Sequence, residues 1–567
     1  MLYATLNYKI FSLWEKRNNN ASLSTYKRRA LKMCTRFDEE KEKEKERFFC
    51  GWCVFDVVVS SLIVFAAVLV LRNDANRVGA VSLHSLNNNA LNDENANNAK
   101  VVVAHQSHHK YAFTPTNGKI VYSWVAKGHH ELPSETTFTG ATKGFIKRSL
   151  ISDGEFKYMH MAMPSELPDG SIAVAFQASP TEYEGSIRQA LYWAISRDNG
   201  VSFSKPEMIA KDDQLPVWTP VLKVSGQRVF LLYTVSSRKC RYYDQSRNAL
   251  RHSPGGDVVY KVSDDNGKTW SSGQVILSYG SEDGMPKVIA NTLVELEDGS
   301  WVLPFWREPG KTCPQMKSEV KDASLLRKGS AGVIRSMDQG LTWEVFGNLT
   351  ATKGESWLIE NTVVERKSER RTTTKKKENN NNKGGRTNNV LVQHFRTKAG
   401  VAFVSLSRDN GKTWTEASET TLPNPNSKMH TIRIDDGDTY DADDNVDEKT
   451  LSSSSSPSKS FFVAAYNHHP RTRDPLVLAV SKSTDGVDSW KPFAKIEPGG
   501  MREIIKPELD KSLLKPGAMQ YAYPTVHSTK DGKYLLVAYS VMYGARGQLT
   551  CFGIRVARME MTDVPRP

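Results

Sequence analysis

Residues 263–270 read SDDNGKTW, and the octet returns as SMDQGLTW at 336–343 and SRDNGKTW at 407–414, with weaker copies SRDNGVSF at 196–203 and STDGVDSW at 483–490. Successive starts lie 67, 73, 71 and 76 residues apart, a period that marks a repeat architecture. The octet is a self-sufficient strand-to-strand turn. Its Asp and Asn side chains can bond nearby backbone N–H groups, its Gly supplies a positive φ, and its last aromatic can pack beneath the turn.

Each period also holds a turn followed by an apolar or alternating run: LPDGSIAVAF (167–176), SGQRVFLLYT (225–234), LEDGSWVLPFW (296–306), NNVLVQHF (388–395), KSFFVAAYN (459–467) and TKDGKYLLVAY (529–539). Helical periodicity is nearly absent. Six such strands, with room for four short strands in about 70 residues, predict an all-β fold, a six-bladed β-propeller over residues 111–563. The octet is expected between the outer strands of five blades. The blade without it is expected where the two chain ends meet.

Outside this body the chain changes character. Residues 52–71, WCVFDVVVSSLIVFAAVLVL, carry one charge, Asp56, and are long enough to cross a bilayer as a single transmembrane helix. The Lys/Arg-rich tail at 1–51 precedes the span, so the positive-inside rule keeps it in the cytosol and leaves the propeller in a lumen. The expectation is a single-pass type II membrane protein of the secretory route, in the Golgi. Residues 72–110 are Asn/Ala-rich with no hydrophobic period and read as a flexible stem. Two further low-complexity tracts, RKSERRTTTKKKENNNNKGGRTNN at 366–389 and an acidic and Ser-rich stretch at 435–460, read as solvated insertions between strands.

The net charge of +13 is a weak pointer to nucleic acid. The tail at 1–50 supplies 12 basic against 7 acidic residues, and 366–386 supplies 9 against 2, while 435–449 offsets them with 8 acids against 1 base. The rest of the chain has a mild excess and no interleaved basic and aromatic stripe, so no nucleic-acid partner is implied. Of six cysteines, Cys34, Cys50 and Cys53 fall before or within the span, and Cys240, Cys313 and Cys551 follow it. The last three allow at most one internal disulfide. Neither Cys/His metal spacing, acidic calcium-loop spacing nor a nucleotide fingerprint is present, so no metal and no cofactor are implied. Asn348-Leu-Thr350 is a candidate N-glycan acceptor.

The octets resemble the Asp-box repeats of the sialidase superfamily, and the resemblance covers most of residues 150–560. It implies a sialidase-like propeller and names site positions. ENTVVE at 360–365 resembles the segment that carries the carboxylate activating the nucleophile, which places that role on Glu360. Arg396, ending VLVQHFR, and Arg473, in RDPLVLAVS, are similar to strand-terminal arginines that hold the substrate carboxylate, with Arg471 a neighbouring candidate. Tyr523 in YAYPTV resembles the nucleophilic tyrosine, with Tyr521 nearby. Glu184 in TEYEG lies where the acid/base carboxylate is expected, with Glu182 as competitor.

One position departs from the pattern. The Arg-Ile-Pro segment of sialidases is replaced by HMAMPSELPDG, so Ala162 stands where the first arginine would. His160, two residues earlier, could donate to an anionic or hydroxyl group when protonated. This form resembles a divergent sialidase-like branch, which also suggests Trp218, Arg307, Glu308 and Asn426 as funnel residues.

The residue types make chemical sense without the resemblance. An anomeric carboxylate would repel an Asp or Glu nucleophile, so a neutral phenol is the better attacking group, and a phenol of pKa near 10 needs an adjacent base. Arginine holds a carboxylate through bidentate bonds that lysine cannot copy. The expected function is therefore a membrane-anchored lumenal exo-glycosidase, retaining, acting on a terminal acidic sugar of a glycan. The alternatives are a glycosidase for a different plant or algal polysaccharide sugar, or a non-catalytic carbohydrate-binding propeller.

Overall fold

The computed structural model describes residues 119–128 and 156–567, apart from 182, 246, 282–283, 309–312, 314–328, 352–355, 367–388, 436–459, 483–488, 498–518 and 546–547. The expected cytosolic tail, the span at 52–71, the stem, nearly all of both insertions and Glu182 lie outside the described residues. No described helix is long and apolar enough to cross a membrane.

The described chain is all strand apart from one short 3-10 turn. After β1 (Ile120–Lys127) comes a four-stranded antiparallel meander of β2 (Tyr158–Glu166), β3 (Ile172–Ser179), β4 (Ala190–Ser196) and β5 (Glu207–Ala210). Next run β6 (Val217–Ser225), β7 (Arg228–Ser236), the hairpin β8 (Arg241–Asp244) and β9 (Ala249–His252), then β10 (Gly256–Ser263) and β11 (Gln274–Leu277). They are followed by β12 (Lys287–Ile289), β13 (Val294–Glu295), β14 (Trp301–Arg307), β15 (Ser330–Ser336) and β16 (Glu344–Leu349).

Two more four-stranded meanders follow. One is β17 (Ile359–Arg366), β18 (Val390–Arg396), β19 (Gly400–Ser407) and β20 (Ser418–Asn424), and the other is β21 (His430–Asp435), β22 (Ser460–Asn467), β23 (Leu476–Lys482) and β24 (Lys491–Glu497). The last sheet joins β25 (Met519–Ser528), β26 (Tyr534–Ala545) and β27 (Gln548–Glu560) to β1, in the order β1-β27-β26-β25. The first and last described strands therefore meet in one sheet, and it is the sheet without an octet.

The arrangement is propeller-like, but four sheets stand as separate four-stranded blades rather than the six expected. Strands β6 to β16, the β8–β9 hairpin aside, form one nine-stranded sheet. The join is local: Lys287 at the start of β12 pairs with Gly256 on β10 and with Arg307 on β14. A backbone bridge of this kind has no side-chain periodicity by which a sequence could announce it.

All six turn-plus-run segments of the sequence are strands, namely β3, β7, β14, β18, β22 and β26. Strands β3, β14 and β18 are buried at every position, which is why they read as continuous apolar runs rather than alternations. Hydrophobic clusters lie between successive sheets. Val174 and Phe176 of β3 pack with Leu536 and Ala538 of β26, while Phe461 and Leu478 pack with Val537 and Tyr539. Each such fully buried side chain contributes about 1.5–3 kcal/mol.

Four octets are described throughout and share one bonding scheme. In the third strong copy, Ser407 Oγ donates to Asp409 Oδ1 (2.8 Å) and accepts from Gly411 N (2.9 Å), while Asp409 accepts from Thr413 N (2.8 Å) and Thr413 Oγ1 (2.6 Å). The indole of Trp414 closes the turn by donating to Gly411 O at 2.8 Å. Gly267 shows why the octet glycine is fixed: φ is +81°, and an added Cβ would lie 1.9 Å from the Trp193 ring of the preceding sheet. The fifth octet falls mostly outside the described residues.

Candidate functional site

Four of the first strands carry the same irregularity. In β2, β6, β17 and β25 the register slips so that two residues oppose one, and the first of the two has a positive φ: Met161 (61°), Thr219 (52°), Glu360 (48°) and Tyr523 (59°). The single residues opposite are Phe176, Tyr233, Phe395 and Tyr539, all aromatic. A bulge leaves its extra residue without a ladder bond, which suits Pro220 and Pro524 in the second place because proline has no N–H. A left-handed non-glycine residue costs about 1–2 kcal/mol. The return is a change of side-chain direction, and it is at two of these bulges that Glu360 and Tyr523 are aimed at a common partner.

That partner is Arg396 at the end of β18. Its Nη1 donates to Glu360 Oε1 at 2.7 Å and to the Tyr523 hydroxyl, and its Nε donates to Asn426 Oδ1 at 2.8 Å. Arg473 donates through Nη2 to the Asn426 carbonyl (2.9 Å), with its guanidinium 5.1 Å from the Tyr523 ring centre. The His160 ring lies 4.0 Å, centre to centre, from the ring of Tyr523, and its Nδ1 is paired with Ser540 Oγ at 2.8 Å. The fold thus brings together six predicted residues: His160, Glu360, Arg396, Asn426, Arg473 and Tyr523. Glu360 and Tyr523 meet through Arg396 rather than through a direct bond, and Glu360 Oε2 is a buried acceptor without a partner.

The electrostatics follow from burial and the charges of Glu360, Glu184, Arg396, Arg473 and Lys428. Burial raises the Tyr523 phenol above its usual range, with Glu360 and Glu184 acting in the same direction and Arg396 and Arg473 opposing. Burial disfavours the Arg396 cation, but Glu360 and Tyr523 outweigh it and hold the guanidinium charged. Burial, aided by Arg473, Lys428 and Arg396, lowers His160 well below the usual histidine range. That direction favours the neutral imidazole, with Nδ1 paired to Ser540 Oγ.

Two carboxyls border the cluster. Glu184 follows β3, and its Oε1 accepts from Gln177 Nε2 at 3.0 Å. Glu308 follows β14 and accepts from the Trp306 indole at 2.7 Å. Burial pushes Glu308 up to about 7, against the pull of Trp306 and with Glu360 and Glu184 adding to the rise.

Trp218 and Arg307 are not brought to the cluster. Trp218 is fully buried beneath the Gly185 turn and donates to Ser236 Oγ at 2.7 Å. Arg307 packs over Phe305 and donates to Gly347 O (3.2 Å) and Ser330 Oγ (3.3 Å) within its own sheet. Tyr521 packs in the core edge-on to Tyr539, and Arg471 is exposed, so Tyr523 and Arg473 are the members of each pair that reach the site. Ala162 is buried with no charge to offer.

Sequence reasoning missed Lys428, which is 1% exposed. Its Nζ donates to Pro524 O (2.8 Å) and Thr525 Oγ1 (2.7 Å), bracing the strand directly after Tyr523, and burial lowers it to about 7. A lysine between Ser427 and Met429 gives no periodic sign of burial. Among the described residues, no cluster of His, Cys, Asp and Glu could hold a metal ion.

Successive antiparallel sheets with recurring Ser-x-Asp turns define a BNR-type repeat protein. The BNR repeat-like domain family matches residues 170–536, and the chain belongs to that family, which bears out the resemblance read from the octets. Solved structures similar to it include the Hadza microbial sialidase Hz136 (15% identity, TM-score 0.48, covering 73% of this chain and 68% of that one). Two others are the intramolecular trans-sialidase from Ruminococcus gnavus (14%, 0.48, 73% and 96%) and a protein of unknown function from Dyadobacter fermentans (15%, 0.47, 72% and 95%). No curated protein matches the chain.

Proposed function

We propose that the protein is a retaining exo-glycosidase acting on a terminal acidic sugar, of the sialic-acid or 2-keto sugar acid class, with Tyr523 as nucleophile. The observation that carries this reading is the meeting of Tyr523, Glu360 and Arg473 around Arg396. The Tyr523 oxygen accepts from Arg396, so its own proton needs another acceptor, and Glu360 Oε2 is the unpartnered buried acceptor in the same cluster. A raised phenol needs such a base. Arg396 and Arg473 supply the cations for a substrate carboxylate.

The reading extends to location. A type II anchor at 52–71 would put the propeller in the lumen of the secretory route. The Cys240–Cys313 disulfide supports an oxidising compartment, and Asn348 is exposed on the outer strand β16.

A second reading, a glycosidase for a sugar without the anomeric carboxylate, is favoured by one observation. Ala162 and a neutral His160 leave two cations where a sialidase-type site would have three. One experiment separates the readings. A fluorinated 2-keto sugar trap followed by mass spectrometry should label Tyr523, and Tyr523→Phe should abolish both label and turnover. Label elsewhere, or an active Tyr523→Phe variant, sinks the tyrosine mechanism.

A further inference from the structure

Cleavage of a glycoside needs a proton for the departing oxygen, and the two carboxyls beside the cluster are held in opposite ways. Glu184 is surrounded by donors: Gln177 Nε2 reaches Oε1, and the Tyr158 hydroxyl also bonds the carboxylate. These two donors hold the carboxylate in place. Its loop is pinned as well, since the Glu184 carbonyl accepts from Arg251 Nε at 2.6 Å and the Gly185 carbonyl from His252 N at 2.9 Å.

Glu308 has one donor only. The Trp306 indole fixes Oε2, and the backbone N–H of Glu308 is tied to the Pro286 carbonyl at 2.9 Å, so the carboxyl has a set direction. Its other oxygen has no partner among the described residues and is not sealed from solvent. Glu360, Arg396 and Glu184 are charged groups that act on it electrostatically.

We propose that Glu308 is the proton donor of this site, and that Glu184 is a positioning residue held beside it. The inference rests on the glycosidase reading above and names its acid. As the bond from the anomeric carbon to the leaving oxygen breaks, the Glu308 proton passes to that oxygen. The Tyr523 oxygen forms the new bond to the anomeric carbon, and the phenol proton passes to Glu360. In the second step, Glu308 carboxylate takes a proton from water, whose oxygen displaces Tyr523, and the phenolate recovers its proton from Glu360. The sum is hydrolysis, with each protein group returned to its starting state. Burial, with Glu360 and Glu184 adding and Trp306 and Arg396 opposing, raises Glu308 to about 7, so it exchanges its proton near neutral pH, as an acid/base of this role requires.

The test compares the full chain with its Glu308→Gln and Glu184→Gln variants on two substrates sharing one sugar. One is 4-methylumbelliferyl α-N-acetylneuraminide, whose leaving group needs no proton, and the other is sialyllactose, whose leaving group does. Glu308→Gln should lose about 10²–10⁴-fold in kcat/KM on sialyllactose and ~10-fold or less on the aryl glycoside. It should also lose the alkaline limb of the pH profile, and added azide should restore turnover as a glycosyl azide. Glu184→Gln should lower both substrates alike. The reverse pattern, or a Glu308→Gln variant blind to leaving group, removes Glu308 as donor and leaves the glycosidase reading standing. A wild-type protein that cleaves no glycoside of either acidic or neutral sugars overturns both.

Discussion

The link between Arg396 and Glu360 can be measured without any substrate. Glu360 is 4% exposed, Arg396 Nη1 supplies the one hydrogen bond to its carboxylate, and the second carboxylate oxygen has no partner. Arg396→Met keeps most of the side-chain volume but leaves a buried carboxylate with both oxygens bare. Breaking a buried pair on one side costs about 3–5 kcal/mol, and the lost bond to Asn426 adds roughly 1 kcal/mol. Glu360→Gln keeps an acceptor for Arg396 and gives up only the charge-assisted part, about 1–2 kcal/mol. The double variant buries no unpaired charge. Adding Glu360→Gln to Arg396→Met should therefore restore stability, by about 1–3 kcal/mol, rather than lower it further. Urea titrations followed by tryptophan fluorescence, with unchanged m-values, give the three free energies. Additivity within ~0.5 kcal/mol, or a double variant less stable than Arg396→Met, would refute a shared buried contact.

Lys428 predicts a pH dependence of stability. Its folded value, about 7, lies below the ~10.4 of an unfolded lysine, so the unfolded chain binds more protons between these limits. Stability should rise by up to about 1.4 kcal/mol per pH unit from pH 7 toward 10 and be lost as pH falls through 7. Lys428→Met should flatten that slope in urea titrations at pH 7, 8 and 9, and an unchanged slope would assign it to other groups. The Cys240–Cys313 disulfide spans 73 residues, and chain-entropy arguments give it about 4 kcal/mol. Cys240→Ser/Cys313→Ser should approach that loss and raise hydrogen exchange in β8 and β9; equal stability with and without the bridge would count against it.

The repeat was legible because its physics is local. Ser407, Asp409, Gly411 and Thr413 satisfy one another within seven residues, so the octet survives as a string and announces its own turn. The second strand of each repeat was legible for another reason: burial on both faces demands an unbroken apolar run, and Ile172–Ser179 and Val390–Arg396 show it. What was not legible depends on backbone pairing between distant residues. The bridge from Gly256 to Lys287, which fuses two expected blades, leaves no mark on either side chain. Trp218 and Arg307 were harder to read, because a large aromatic and an arginine next to a strand end suit a funnel wall and a framework equally well. In the structure Trp218 bonds Ser236 and Arg307 bonds Gly347.

The bulges explain why the site could be named from its residues but not aimed. A strand alternates its side chains, and ENTVVE read as a regular strand gives Glu360 no reason to point where Arg396 lies. One extra residue with a positive φ resets the alternation, and the same reset recurs at Met161, Thr219, Glu360 and Tyr523. The device therefore belongs to the fold, not to the chemistry, because two of its four positions carry residues with no acid, base or nucleophile of comparable use. The sequence then equips two of the four with a carboxylate and a phenol, and Arg396, at a strand end with no bulge of its own, joins them. Strain of about 1–2 kcal/mol at each bulge is tolerable because Phe176, Tyr233, Phe395 and Tyr539, each at most 5% exposed, fix the backbone from the neighbouring strand. An aromatic closing the second strand of a repeat is thus the nearest thing in the sequence to a mark of where the first strand turns its side chains toward the axis.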